Sequence, residues 1–158
     1  VEEQAVASST RAREAYFVDF AEAMRREVSI PLMVTGGLRR LDAMNRALET
    51  GCADMIGIGR PLCVVTDAPA KLLLGLEELP RFEDQLSLLP RGLGFLNRIK
   101  TVRTISAFAT QYWFYEQIAA LGLQGEPNVS MGVMSATTAQ TKAAKVWLAA
   151  RSEQLQSA

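Results

Sequence analysis

The chain has 158 residues, with 17 Lys and Arg balanced by 17 Asp and Glu, and no histidine. The charge balance argues against a basic nucleic-acid binder or an acidic-membrane binder, and these residues alone supply no imidazole base and no histidine metal ligand. An apolar share of 49% suits a globular protein, and no apolar run reaches the roughly 18 residues of a membrane span. Cys52 and Cys63 lack metal or redox spacing and read as core or near-core thiols in a reducing cytoplasm.

The chain opens at Val1 with neither methionine nor a leader pattern, and polar Val1–Ser9 reads as a connection entered from upstream. The expectation is a C-terminal portion of something longer. Ser8, Ser9 and Thr10 offer N-caps for a helix to about Glu27, with Tyr16, Phe17, Phe20 and Met24 on one face. Val28–Thr35 is β-biased, with Pro31 near its start where a missing N–H is tolerated. After Gly36-Gly37 a second helix spans about Arg40 to Thr50, and Gly51 closes it. Ala53–Gly59 is the next strand. Its almost wholly apolar composition predicts burial on both faces, as in a parallel sheet.

Helix, strand, helix, strand is part of an α/β repeat series. Asp67 then reads as an N-cap, with Pro69 in the first turn of a short helix to about Leu74. Gly75–Gly94 is looser, Phe95–Leu121 is helical and aromatic, and Gly122–Ser130 is a loop. A last amphipathic helix from Ala136 to about Gln154 carries Val146, Trp147 and Leu148.

Two glycine turns, Thr35-Gly36-Gly37 and Gly57-Ile58-Gly59-Arg60-Pro61, carry the functional signal. Each follows an apolar strand, and they lie one α/β unit apart. Glycine at the C-terminal ends of adjacent parallel strands lets backbone N–H groups approach an anion, and a following helix N-terminus favours negative charge. Arg60 adds a planar donor fork. In a (β/α)8 barrel the common phosphate site follows strands 7 and 8, although such a barrel takes roughly 250 residues. Arg39 and Arg40, in a first turn where cations oppose the helix dipole, read equally as anion partners or as solvated surface. Asp54, at the opposite end of its strand, reads as structural. Phe108, Tyr112 and Tyr115 share one helical face and read as core rather than as a nucleic-acid or membrane surface.

Pro31–Arg39, then Ala47–Asp54, then Ile58-Gly59-Arg60-Pro61-Leu62 together resemble the old yellow enzyme family of FMN-dependent NADH:flavin oxidoreductases, or ene-reductases. The resemblance covers about residues 28–75, and the helical tail looks like an extension found in some bacterial members. It implies an α/β fold: the C-terminal part of a (β/α)8 TIM barrel, about strands 7 and 8 with their helices, over residues 1–75, and an α-helical C-terminal extension over 76–158. It implies FMN, with NAD(P)H as hydride donor and a small activated alkene such as an enone as substrate. Carried over by position, Gly36 and Gly37 hold the FMN phosphate from one strand, and Gly59 and Arg60 from the next. No catalytic residue and no metal ligand is assigned within this chain, because the family's histidine or asparagine pair and its tyrosine donor sit on earlier strands. The family's Asp-Pro after Gly-Arg-Pro is here Val65-Thr66-Asp67-Ala68-Pro69.

The implied protein is cytoplasmic, without nucleic-acid or membrane partners, and open to homo-oligomer formation; this portion alone is expected to be inactive. Two other readings stand beside it. One is another FMN- or phosphate-binding barrel of the dihydroorotate dehydrogenase or dihydrouridine synthase type. The other is a non-enzymatic helical interaction module built on the aromatic stretch 95–117.

Overall fold

The computed structural model describes residues 16–90 and 92–156, so the capping residues Ser8–Thr10 lie outside the described part. Contacts divide the chain into two units, Val1–Pro80 and Arg81–Ala158, where the sequence reading put the boundary after Gly75. The described residues are mostly helical and carry one two-stranded parallel sheet, consistent with a piece of an α/β fold.

In the first unit, α1 is helical over residues 16–27 and ends where the sequence reading ended it. Strand β1 is Met33–Thr35, helix α2 is Leu41–Glu49, strand β2 is Met55–Gly57, and helix α3 is Ala68–Leu73. The strands are shorter than expected from the apolar runs, because only these residues complete the ladder. β1 and β2 pair in parallel with Met33 opposite Met55, Val34 opposite Ile56 and Thr35 opposite Gly57.

Side chains alternate across a strand, so this register sorts the sheet into two faces. Val34 and Ile56 turn toward a core of Leu38, Met44, Ala68, Leu72 and Leu79. Met33 and Met55, on the other face, are 61% and 60% exposed. The expectation of burial on both faces is therefore corrected: α2 and α3 supply one cover, and nothing among the described residues supplies the other. Helix α3 also lacks the anticipated side-chain cap. Asp67 instead pairs with Lys71 at 3.0 Å, and its carbonyl accepts from the Lys71 amide.

The second unit is an α-helical hairpin preceded by 3-10 turns at Phe82–Gln85 and Gly94–Arg98. Helix α4 spans Lys100–Gln124 and ends on left-handed Gly125; helix α5 spans Val133–Gln156. Ala109, Trp113, Gln117 and Ala120 recur at helical spacing and are buried with Phe114, and Val133 and Ala136 are buried on α5. Trp113 donates its indole N–H to the Met131 carbonyl at 2.7 Å, and it stacks on Phe82 with ring centres 6.3 Å apart. The aromatic face expected to be core is mostly turned outward: Phe108 is 57% exposed and Tyr115 43%, with Tyr112 half-buried. Periodicity locates a stripe but not its partner. The stripe one residue round carries small Ala109 and Ala120, which let packed neighbours close onto Trp113.

Met33→Lys with Met55→Lys should reduce self-association and binding of a hydrophobic dye by the isolated chain, checked by light scattering and fluorescence, without reducing helicity. A sharp cooperative melt of a monomeric natural chain would overturn the view that this face is a liability. Within α4, Gln117 is fully buried, donates only a long 3.4 Å bond to the Trp113 carbonyl, and its Oε1 has no partner among the described residues. Gln117→Met should stabilise the second unit by about 1–2 kcal/mol in urea unfolding followed by tryptophan fluorescence.

Candidate functional site

Parallel pairing brings the two glycine turns to the same end of one sheet. Gly36 and Gly37 follow Thr35, and Ile58, Gly59 and Arg60 follow its ladder partner Gly57. Gly36 and Gly37 both take positive φ, 123° and 78°, a backbone that side-chain-bearing residues rarely adopt. At Gly36 a Cβ would also stand 2.6 Å from the tip of the Phe17 ring of α1, which would have to swing aside. Phe17 was read only as one residue of an apolar face, and no sequence signal ties it to the turn.

Gly59 is different. A Cβ there would meet nothing within 4 Å, so no neighbour requires its absence. Arg60 starts a 3-10 turn, Arg60–Cys63, and its neighbour Pro61 is buried. The Leu62 amide donates to the Gly59 carbonyl at 2.9 Å and Val65 to Pro61 at 2.8 Å, which fixes the direction in which Arg60 leaves the strand. Burial pushes the Cys63 thiol up, and the nearby Arg60 guanidinium opposes that shift. Cys63 is a half-buried thiol near Arg60, and Arg60 is exposed.

The start of α2 does not join this donor set. Its first amide, Leu41, donates to the Glu77 carbonyl at 2.8 Å, and Arg40 and Glu78 form an antiparallel bridge. The adjoining cleft of about 360 Å³ is lined by Asp42, Glu77 and Glu78 as well as Arg40, a setting that repels phosphate. Arg39 is only 4% exposed and donates to the Pro80 carbonyl at 3.0 Å, while Arg40 pairs with Asp42. The reading of these arginines as partners of an anion gives way to structural roles. The return of Glu77–Leu79 against Arg39–Leu41 was not legible, because no periodicity marks an irregular segment. What remains for an anion is side-chain-free backbone at Gly36, Gly37 and Gly59 with the Arg60 fork, and that chemistry suits a phosphate.

Asp54 anchors the other end of the sheet. Its carboxylate accepts from the Leu32 amide at 2.8 Å and from Arg25 of α1, whose Nε also donates to the Gly51 carbonyl at 3.0 Å. The Leu32 amide first, and Arg25 second, hold its carboxyl below the usual value of 3.8. Among the described residues no group of potential metal ligands gathers, and no helix is long and apolar enough to cross a membrane.

Three curated proteins show where this arrangement has relatives. The NADH-dependent flavin oxidoreductase iccE of Talaromyces variabilis is 27% identical over 114 residues, which is 72% of this chain and 28% of that protein. The NADH-dependent flavin oxidoreductase iliE of Neonectria sp. (strain DH2) is 36% identical over 85 residues, 51% of this chain and 11% of that protein. Its namesake in Hypocrea jecorina (strain QM6a) is 37% identical over 65 residues, 40% of this chain and 16% of that protein. Over part of its length the chain is therefore related to NADH-dependent flavin oxidoreductases, in agreement with the old-yellow-enzyme-like motif. It spans less than a third of the length of each of these relatives. No family model matches, and no solved structure matches.

The lowered Asp54 carboxyl links the sheet to pH. A depressed folded-state value contributes stability that is fully present above the ordinary value of 3.8 and is lost as pH falls through the lowered one. Acid titration followed by circular dichroism should show the first unit weakening over that window. Asp54→Asn should be less stable at neutral pH and flatter across the window.

Proposed function

We propose that this chain is the phosphate-holding portion of an FMN-dependent, NADH-linked oxidoreductase on a (β/α)8 barrel, acting on activated alkenes. β1 and β2 take the places of the last two barrel strands, with the helical unit as an extension. One observation carries the reading: both glycine turns leave the same end of one parallel strand pair, with Arg60 beside them. Relatives named NADH-dependent flavin oxidoreductases support it and favour it over a helical interaction module and over other phosphate-binding barrels. The open Met33 and Met55 face supports it too, since parallel sheets are covered on both sides and these residues would then point into a barrel.

In this reading Gly36 and Gly37 present backbone donors from one strand end, and Gly59 clears space at the other. Arg60 neutralises phosphate charge with paired donors. Bound FMN supplies the relay of hydride from NADH to the alkene β-carbon. This chain's part is to hold and orient; with no histidine present, the groups that polarise the alkene and return its proton come from elsewhere in a longer polypeptide. The substrate is small, the compartment is the reducing cytoplasm, and neither nucleic acid nor membrane takes part.

In the longer protein, Arg60→Ala should weaken FMN retention about tenfold or more, the scale of one lost charge-assisted hydrogen bond. Flavin absorbance per protein after dialysis measures this, with Arg60→Lys falling between. Unchanged flavin content in Arg60→Ala would overturn the reading.

A further inference from the structure

The hairpin of the second unit is packed along only part of its length. Val133 and Ala136 of α5 are buried, and Gln140 donates to Glu116 of α4 at 2.7 Å. Beyond that bond every residue from 141 to 155 is exposed, including Val146, Trp147 and Leu148, with Trp147 at 65%. A bare helix of about this length is marginal in water, so its stability asks for a covering surface.

The charge pattern says which surface. Lys142, Val146, Ala149 and Glu153 recur at steps of four, three and four, the spacing of a helix–helix seam. Laid antiparallel on a second copy about a dyad between Trp147 and Leu148, the stripe reads as its own complement. Lys142 meets Glu153 of the other copy, Val146 meets Ala149, and both pairs occur twice. Lys145 and Arg151 then face Ala150 and Ala144, so no like charges oppose one another. A parallel pairing would instead set Lys142, Lys145 and Arg151 each against itself. Ala143 and Ala150 beside the seam permit close approach, while Trp147 and Leu148 lie round the helix from it.

We propose that the exposed half of α5 pairs antiparallel with the same segment of a second copy, forming a two-fold dimer through Val146 and Ala149 with Lys142–Glu153 pairs at both ends. A two-fold contact of this kind is isologous, the same patch used by both copies. The segment is about 22 Å long, so the interface falls below the size of a standard stable complex, and the dimer is a micromolar one. This inference does not rest on the flavin reading.

Sedimentation velocity on the whole chain tests it, with circular dichroism confirming unchanged helicity. Carrying Met33→Lys and Met55→Lys, which remove contact through the open sheet, the otherwise natural chain should pass from monomer to dimer over about 1–100 µM. Lys142→Glu and Glu153→Lys should each shift that midpoint upward by about fivefold or more, since each sets like charges together at both ends of the seam. Mixed in equal amounts, the two variants should recover association, because each is complementary to the other. Val146→Glu should abolish dimer formation in any mixture. A chain that stays monomeric throughout overturns the proposal. Association of that same chain indifferent to Lys142 and Glu153 overturns it as well. So does Val146-dependent binding of a monomer to phosphatidylglycerol vesicles, which would assign the face to a lipid surface.

Discussion

Everything in the first unit that bears on function depends on the parallel pairing of Met33–Thr35 with Met55–Gly57. Parallel strands share a direction, so whatever follows one leaves the sheet beside whatever follows the other. That geometry brings two separate glycine turns to one end of the sheet. It also requires a crossover between the strands, and α2 with the segment leading into it fills that role, covering one face through Met44 and Leu38. The same register exposes Met33 and Met55 together on the other face.

The sheet is held from its far end. Asp54 gathers the Leu32 amide and the Arg25 guanidinium, and Arg25 also reaches the carbonyls of Gly51 and Ile30. One acidic side chain thus ties α1, the start of β1 and the start of β2. Separating this clamp from the glycine end leaves the exposed end of the strands to backbone conformation and to Arg60. The ends of the pair divide the work: one is closed by charge, and the other is open.

Much of this was legible beforehand, for identifiable reasons. Helix positions came from periodicity and strand positions from apolar runs beside glycine. The identity of the two turns came from the order Thr-Gly-Gly, then Gly-Cys-Ala-Asp, then Gly-Arg-Pro. Asp54 was read as structural because it begins a strand. The partners were not legible. Arg25 as the mate of Asp54, Phe17 against Gly36, and Glu77 on the Leu41 amide join residues 19 to 36 positions apart, and no local pattern encodes such distances. Arg39 and Arg40 were ambiguous for the same reason: a cation's role is set by what packs on it, here the Pro80 carbonyl and Asp42.

The sequence by itself determined which residues could form a phosphate-accepting turn, because glycine and arginine carry those capacities in their covalent structure. It also determined the relation to flavin oxidoreductases, since motif order survives at modest identity. Only the tertiary structure decided that both turns sit at one end of one sheet, and that the α2 amide is already occupied. It likewise decided that the Trp113 stripe rather than the Phe108 stripe is the buried side of α4. Those outcomes depend on which surfaces meet. Meeting is a property of the folded chain, governed by register and packing density, and an apolar stripe is compatible with more than one partner until the chain has closed on it.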